Sequence, residues 1–178
     1  TQEIMTPIVA QLAEQTGQSA AYFEMRGDSI ALLAKAEQEN SFHYVRQFGT
    51  HRLFSVHAFS YVCLAYRSAD EVKRLYALRE EPRPVSRKEF YGKLAAARAN
   101  GYVVDLHGGG PGTLHCIVAP VFLDEQHVEV GSVGITMLVE PDEREIERIR
   151  DLVVAAGREA SERIAAVRGH RAFGAPDA

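Results

Sequence analysis

The apolar positions along this chain fall into blocks whose spacing changes from one block to the next. Ile4, Ile8 and Leu12 recur every four residues, with Met5 and Val9 beside them. That spacing predicts a helix with Gly17 as its stop. Two apolar runs then flank Arg26-Gly27-Asp28, which reads as a hairpin. The next segment, FHYVRQFG over 42–49, alternates and predicts a third strand. In SVHAFSYVCLAY, Val56, Phe59, Cys63 and Tyr66 share one helical face, so a short buried helix follows.

Ser68-Ala-Asp-Glu71 and Ser86-Arg-Lys-Glu89 both match the capping-box spacing, in which the Ser hydroxyl accepts from the amide three residues on. Helices carrying Val72, Leu75 and Leu78, and then Phe90, Leu94 and Ala97, are predicted after them. The proline-marked loop EEPRPV separates the two, and Asn100-Gly101 ends the second. Three β-branched runs follow: YVVDL, TLHCIVAPVFL and EVGSVGITMLV. DEQH between the last two predicts a hairpin. Pro141, Asp142, Glu143 and Glu145 open a final helix, where acids suit the positive end of the helix dipole. Its buried stripe is Ile146, Ile149, Leu152, Val153, Ala156, Ala160 and Ile164. The order predicts one α+β domain over residues 1–169, with a six-stranded, mostly antiparallel sheet flanked by helices. Residues 170–178 read as a disordered tail.

Composition narrows the function classes. The 178 residues are 46% hydrophobic and 25% charged, enough for one domain with a real core. No apolar run approaches the roughly 20 residues that span a bilayer. TQEIMTPIVA is not a signal peptide, and the expected compartment is the cytoplasm, with no membrane partner. Cys63 and Cys116 sit in apolar segments and read as reduced thiols rather than a disulfide. The net charge of −4 argues against DNA binding by this chain alone, since such domains gather Lys and Arg on one face.

Candidate chemistry concentrates in two places. Gly108-Gly109-Gly110-Pro111-Gly112 lacks the Lys and the following helix of a phosphate loop, so it reads as a loop between strands. His107, His115 and Cys116 lack metal-ligand spacing, and adjacent strand residues point to opposite faces; no metal and no cofactor are expected. Cys116 as a nucleophile would need a base such as His57, and an isolated Cys in an apolar strand is usually a core residue. Tyr22, Phe23, Phe42, Tyr44, Phe48, Phe54, Phe59 and Tyr61 cluster in the first half. His57, Ser60 and Tyr61 lie at the start of a short helix, whose amides would suit a carboxylate. A pocket wall and a packed core account equally well for these residues.

Five segments, in order, resemble the effector-binding domain of IclR-type bacterial transcriptional regulators. LAEQTGQSA is similar to the end of the family's opening helix. FGTHRLFSVHAF matches its Gly…Leu-Pro-Leu-His-Ala segment at Gly49, Leu53, His57 and Ala58. LAAARANGYVVD looks like its helix followed by Gly-Tyr-Ala-x-Asp, and Cys116-Ile-Val-Ala-Pro-Val121 like its Cys-x-Ala-Ala-Pro-Val strand. VGSVGITML stands where the family has Ala-Leu-Ser-Val-Ser-Gly. The resemblance implies a GAF-like domain that senses a small metabolite, pairs into dimers or tetramers, and relies on a separate N-terminal winged helix for DNA. That winged helix is absent from this chain.

The resemblance also implies effector contacts at His57, Phe59, Ser60, Tyr61, Asp105, Leu114, Cys116, Gly134 and Thr136. Three departures from the family stand out. Phe-Ser-Tyr-Val-Cys replaces Gly-rich, Lys-containing text after His-Ala. LHGGGPG replaces an acidic pair before Cys116, and Gly134 replaces a Ser. These changes remove polar groups and add aromatic surface, so the expected effector is an aromatic or other organic acid. Two alternatives stay open: an enzyme on the same scaffold using Cys116, and a dimerisation module whose pocket is filled by Phe59 and Tyr61.

Overall fold

A computed structural model of the chain describes residues 1–39, 41–43, 47–53, 57–78, 86–106 and 114–172. Helix α1 (Gln2–Thr16) leads into strands β1 (Ser19–Arg26), β2 (Ser29–Ala36) and β3 (Gly49–Arg52). Helices α2 (His57–Ala65), α3 (Ala69–Ala77) and α4 (Arg87–Asn100) follow. Strands β4 (Val103–Asp105), β5 (His115–Phe122) and β6 (Val130–Met137) then precede the long helix α5 (Glu143–Ala172). The strands form one sheet in the order β3-β2-β1-β6-β5-β4, and every neighbouring pair is antiparallel. This is the expected α+β architecture.

Helices cover both faces. On β1, Ala20 and Tyr22 pack with α1 and α5, whereas Ala21, Phe23 and Met25 pack with α2, α3 and α4. A strand covered on both sides gains from apolar residues at every position, so it loses the alternation of a half-exposed strand. All eight residues of the central β6 are buried for this reason.

Local signals placed most boundaries. Gly17 (φ 68°) and Gly101 (φ 76°) take the left-handed conformation that closes α1 and α4. Ser68 Oγ accepts from the Glu71 amide at 3.3 Å, and Ser86 Oγ from the Glu89 amide at 3.2 Å. Asp142 Oδ1 accepts from the Glu145 amide at 2.8 Å and caps α5. Between β5 and β6, the Leu123 amide donates to the Glu129 carbonyl at 2.8 Å. Asp124 Oδ1 accepts from the Glu129 amide at 2.7 Å.

Two expectations need correction. The third strand is Gly49–Arg52, paired from Leu32↔Gly49 to Ser29↔Arg52, and not the alternating 42–49 stretch. Ser41 turns the chain first: its hydroxyl donates to the Gln38 carbonyl and accepts from the Gln38 amide, at 2.9 and 3.1 Å. Ser41 and Phe42 are then held at Ser19 on β1, so the chain reaches the sheet edge only at Gly49. Residues 44–46 lie outside the described residues. The helix α5 continues to Ala172, three residues into the predicted tail; 173–178 are not described, nor is the EEPRPV loop.

The seating of α5 on β5 depends on one glycine. A Cβ on Gly157 would stand 2.6 Å from the Pro120 carbonyl oxygen and 3.3 Å from Ala119 Cβ. Four residues on, Ser161 Oγ accepts from the Phe122 amide at 2.9 Å and donates to the Gly157 carbonyl at 2.7 Å. The short β4 pairs only with Cys116 to Val118, so past its end Pro120 has no N–H to satisfy and Ser161 serves that of Phe122. Gly157→Ala should gain about 1 kcal/mol of helix propensity but lose about 1–3 kcal/mol to the clash. The net expectation is a lower melting temperature in a thermal unfolding scan. An unchanged or raised value would show that α5 can lift off β5 freely.

Candidate functional site

The register of four strands assembles a polar row on the face covered by α2 and α4. Ser19 pairs with Thr136, Thr136 with Cys116, and Cys116 with Asp105. Alternation puts these four on the side where Ala21, Val118 and Val103 enter the core. Thr136 Oγ1 lies 3.7 Å from Cys116 Sγ. At one end of the row Ser19 Oγ meets Ser41 Oγ at 2.6 Å and donates to the Phe42 carbonyl. The next rows along the strands are mostly apolar, running Ala21–Gly134–Val118–Val103 and then Phe23–Ser132–Pro120.

Two helices close over this face. Near the C-terminal half of α2, Cys63 Sγ donates to Ser132 Oγ at 3.5 Å, and Tyr66 meets Phe122 edge-on at 5.1 Å. Phe59, in the first turn of α2, packs on Phe23 of the same row as Ser132, so α2 crosses the strands from β1 toward β5. At the Asp105 end of the polar row, Lys93 of α4 places Nζ 3.5 Å from Asp105 Oδ1 and 3.9 Å from Glu89 Oε1. The same ammonium stands 5.7 Å from the Tyr61 ring centroid, a cation–π distance. Tyr61 in turn meets Phe90 at 5.7 Å.

The nine residues expected at the site thus divide. Asp105, Cys116 and Thr136 come together, and Tyr61 joins them through Lys93. Phe59 is committed to packing on Phe23, with ring centroids 4.7 Å apart. Ser60 is fully buried and donates to the Leu53 carbonyl, so its hydroxyl braces the entry to α2. Leu114 is exposed ahead of β5. His57 opens α2, and the placement of its side chain lies outside what is described, as does the glycine loop 107–113. Ser19 and Lys93 belong to the arrangement but carry no sequence signal. Ser19 merely starts an apolar strand, and Lys93 four residues after Glu89 reads as an ordinary surface helix pair.

Gly134 has a packing reason. A Cβ there would stand 2.4 Å from the Ile117 carbonyl oxygen and 2.8 Å from Val118 Cα. Both are backbone atoms, which cannot swing aside as a side chain would. His115 and Cys116 face opposite sides, as expected. His115 is buried on the α1/α5 side, and its Nδ1 has no hydrogen-bond partner among the described residues. Among those residues no three His, Cys, Asp or Glu side chains gather where a metal could sit.

The thiols are electrostatically quiet. Burial pushes Cys116 up to about 12 against a partial offset from the Thr136 hydrogen bond, and Asp105 raises it further. Burial likewise pushes Cys63 up to about 11. A thiol with a pKa near 12 is ionised in only about one molecule in 10⁵ at pH 7. Cys116 therefore offers a weak S–H donor or acceptor and apolar surface, not a ready nucleophile.

A family model described as the bacterial transcriptional regulator IclR, C-terminal part, matches residues 2–165. The chain belongs to the IclR family. Solved structures agree in fold. IclR from Thermotoga maritima superposes with a TM-score of 0.78 at 22% identity, over 91% of this chain and 67% of that one. The C-terminal domain of the E. coli transcriptional regulator KdgR gives 0.72 at 24%, over 89% and 94%. The Agobacterium tumefaciens repressor BlcR gives 0.74 at 15%, over 91% and 66%. Comparison with curated proteins gives no match. IclR-family regulators bind DNA and effectors and form oligomers. No helix among the described residues is long and apolar enough to cross a membrane.

Two outcomes follow for this IclR domain. Gly134→Ser should destabilise the domain by about 1–3 kcal/mol in urea unfolding; a neutral result would mean that β5 and β6 separate easily. For the thiols, the folded values lie above the ordinary value of 9.0. The neutral thiols therefore support the fold fully below about pH 9, and that support is lost as pH rises toward 11 and 12. Replacing both cysteines with Ala should flatten the decline of stability with pH above 9. An aromatic disulfide reagent at pH 8 should label the native chain slowly and the unfolded chain fast. Rapid labelling of native Cys63 would contradict its burial.

Proposed function

We propose that this chain is the effector-sensing domain of an IclR-type transcriptional regulator and that its effector is an aromatic or other organic acid. The observation that carries the reading is the Ser19–Thr136–Cys116–Asp105 row. It sets hydroxyls, a neutral thiol and a carboxylate side by side on a covered sheet face. Each of the four holds a partner in place, Ser19 with Ser41, Thr136 with Cys116 and Asp105 with Lys93, so the row is a preformed set of polar groups on a face that is otherwise apolar. A ligand with a few polar groups and an apolar body suits such a face. The domain acts within the cytoplasm, assembles with itself as a dimer or tetramer, and reaches DNA through a separate N-terminal winged helix.

The raised thiol of Cys116 speaks against the nucleophilic enzyme. Cys116→Ser in a sensor changes affinity only, whereas in an enzyme it abolishes turnover. The seating of Phe59 on Phe23 and of Ser60 on Leu53 favours, in that part of the face, a dimerisation module with a filled pocket. A thermal-shift screen decides between the readings. An effector at a hundred times its Kd stabilises by about 2.7 kcal/mol. For a domain of this size that is a rise of about 5–10 °C. Benzoate-like acids should produce it. Stabilisation by small keto-acids alone would sink the aromatic preference, and none by either class would favour the filled module.

A further inference from the structure

Most of the polar row is sealed. Ser19 is wholly buried, Thr136 is 2% exposed, and Ser41, which lies against Ser19, is 7% exposed. An effector reaches these groups only if something moves aside. The helices over the face are held by packed rings, Phe59 of α2 on Phe23 at 4.7 Å and Tyr61 of α2 on Phe90 of α4 at 5.7 Å. Lifting either helix would expose a large apolar area. The Ser19 end is covered differently. There Ser41 and Phe42, which follow β2 in the chain, are held by hydroxyls. The Gln38 amide donates to Ser41 Oγ at 3.1 Å, Ser41 Oγ meets Ser19 Oγ at 2.6 Å, and Ser19 Oγ donates to the Phe42 carbonyl. The Gln38 carbonyl already takes the Ser41 amide at 3.1 Å, so the Ser41 hydroxyl proton can turn to Ser19 without leaving that carbonyl unpaired. Each hydroxyl then takes one hydrogen bond and gives one, in a chain that runs from Gln38 through Ser41 and Ser19 to Phe42. The Phe42 side chain lies half-buried at the border of the apolar cluster shared by α2 and the sheet, as Cys116 does. Glu39 and His43, to either side, are exposed. A segment held by a short hydrogen-bond chain and one half-buried ring opens locally far more easily than a packed helix lifts.

We propose that Ser41 and Phe42 form a clasp over the polar row, closed through Ser19, and that release of this clasp is how a ligand enters. The inference rests on the reading of this face as an effector site. It gives Ser41 a role outside the positions that the family resemblance marks. Ser19, Thr136 and Cys116 stand in register on β1, β6 and β5, so Cys116 lies two strand spacings, about 10 Å, from the clasp. Release of the clasp uncovers Thr136 and Cys116. It does not uncover Cys63, which α2 holds against Ser132 two rows further along β6.

Labelling of the 178-residue chain with a maleimide at pH 8, read thiol by thiol by mass spectrometry, tests the clasp without any ligand. Ser41→Ala should speed the labelling of Cys116 by about tenfold, the scale of one lost hydrogen bond, and leave Cys63 within about twofold of the wild-type rate. Ser41→Thr, which keeps the hydroxyl, should keep the slow rate. Ser19→Ala breaks the same chain from the other side and should match Ser41→Ala. The double variant should exceed either single by less than about twofold, since both hydroxyls serve one chain. An unchanged Cys116 rate in Ser41→Ala, or an equal acceleration of Cys63 that marks general loosening, overturns the proposal and leaves the effector reading standing. Saturating benzoate should slow Cys116 labelling in the wild-type chain. Benzoate binding, seen by calorimetry, that leaves the Cys116 rate unchanged would put the ligand off the row and overturn the effector reading, and the entrance with it.

Discussion

A slip of β5 by one residue along β6 would carry Cys116 to the α1/α5 face, put Ile117 in its place and break its pairing with Thr136. The register of that hairpin is the constraint on which the rest of the arrangement depends. It is pinned at the turn, where Asp124 holds the Glu129 amide, His127 takes the left-handed conformation (φ 55°), and its ring stacks on Phe122 at 3.8 Å. It is pinned again along the strands by Gly134, where any side chain would meet the backbone of β5. Because β6 also pairs with β1, the same register aligns Ser19 with Thr136. Because β5 pairs with β4, it aligns Cys116 with Asp105.

The two faces of the sheet then take different work. The α1/α5 side is a continuous apolar layer in which Met5, Leu12, Tyr22, Ile135, Ile149 and Val153 are almost wholly buried. Gly157 lets α5 settle directly on the β5 backbone, and Ser161 serves an amide that the short β4 leaves unpaired. The opposite side is apolar over most of its area, but one end keeps hydroxyls, a thiol and a carboxylate.

Charge on that edge is arranged through neighbours. The thiol of Cys116 stays neutral because burial and Asp105 both oppose its ionisation, with Thr136 only partly offsetting them. Asp105 in turn is met by Lys93, which α4 braces over Tyr61. The glycine-rich stretch 108–112 lies in sequence between Asp105 and Cys116, two members of the row.

Most elements were legible in the chain because their causes are local. Helical spacing and left-handed Gly17 marked α1, Ser68 and Ser86 marked the starts of α3 and α4, and β-branched runs marked β4, β5 and β6. The ordered segments around His57, Asp105 and Cys116 also carried the family, and with it the expectation that Cys116, Thr136 and Asp105 belong to one site. The third strand was misplaced because alternation in 42–49 is a local signal. The chain there is governed instead by Ser41 and Phe42 bonding to Ser19, more than twenty residues earlier. Ser19 and Lys93 were invisible for the same reason. Taken alone, each has the neighbours of an unremarkable strand or helix residue. Sequence by itself determined which segments fold locally and which sheet they build, since caps, turns and periodicity act over a few residues. Only the tertiary structure decided that Ser19, Thr136, Cys116, Asp105 and Lys93 share one end of one face, because cross-strand register and the docking of α4 join residues whose separation in the chain carries no trace of their contact.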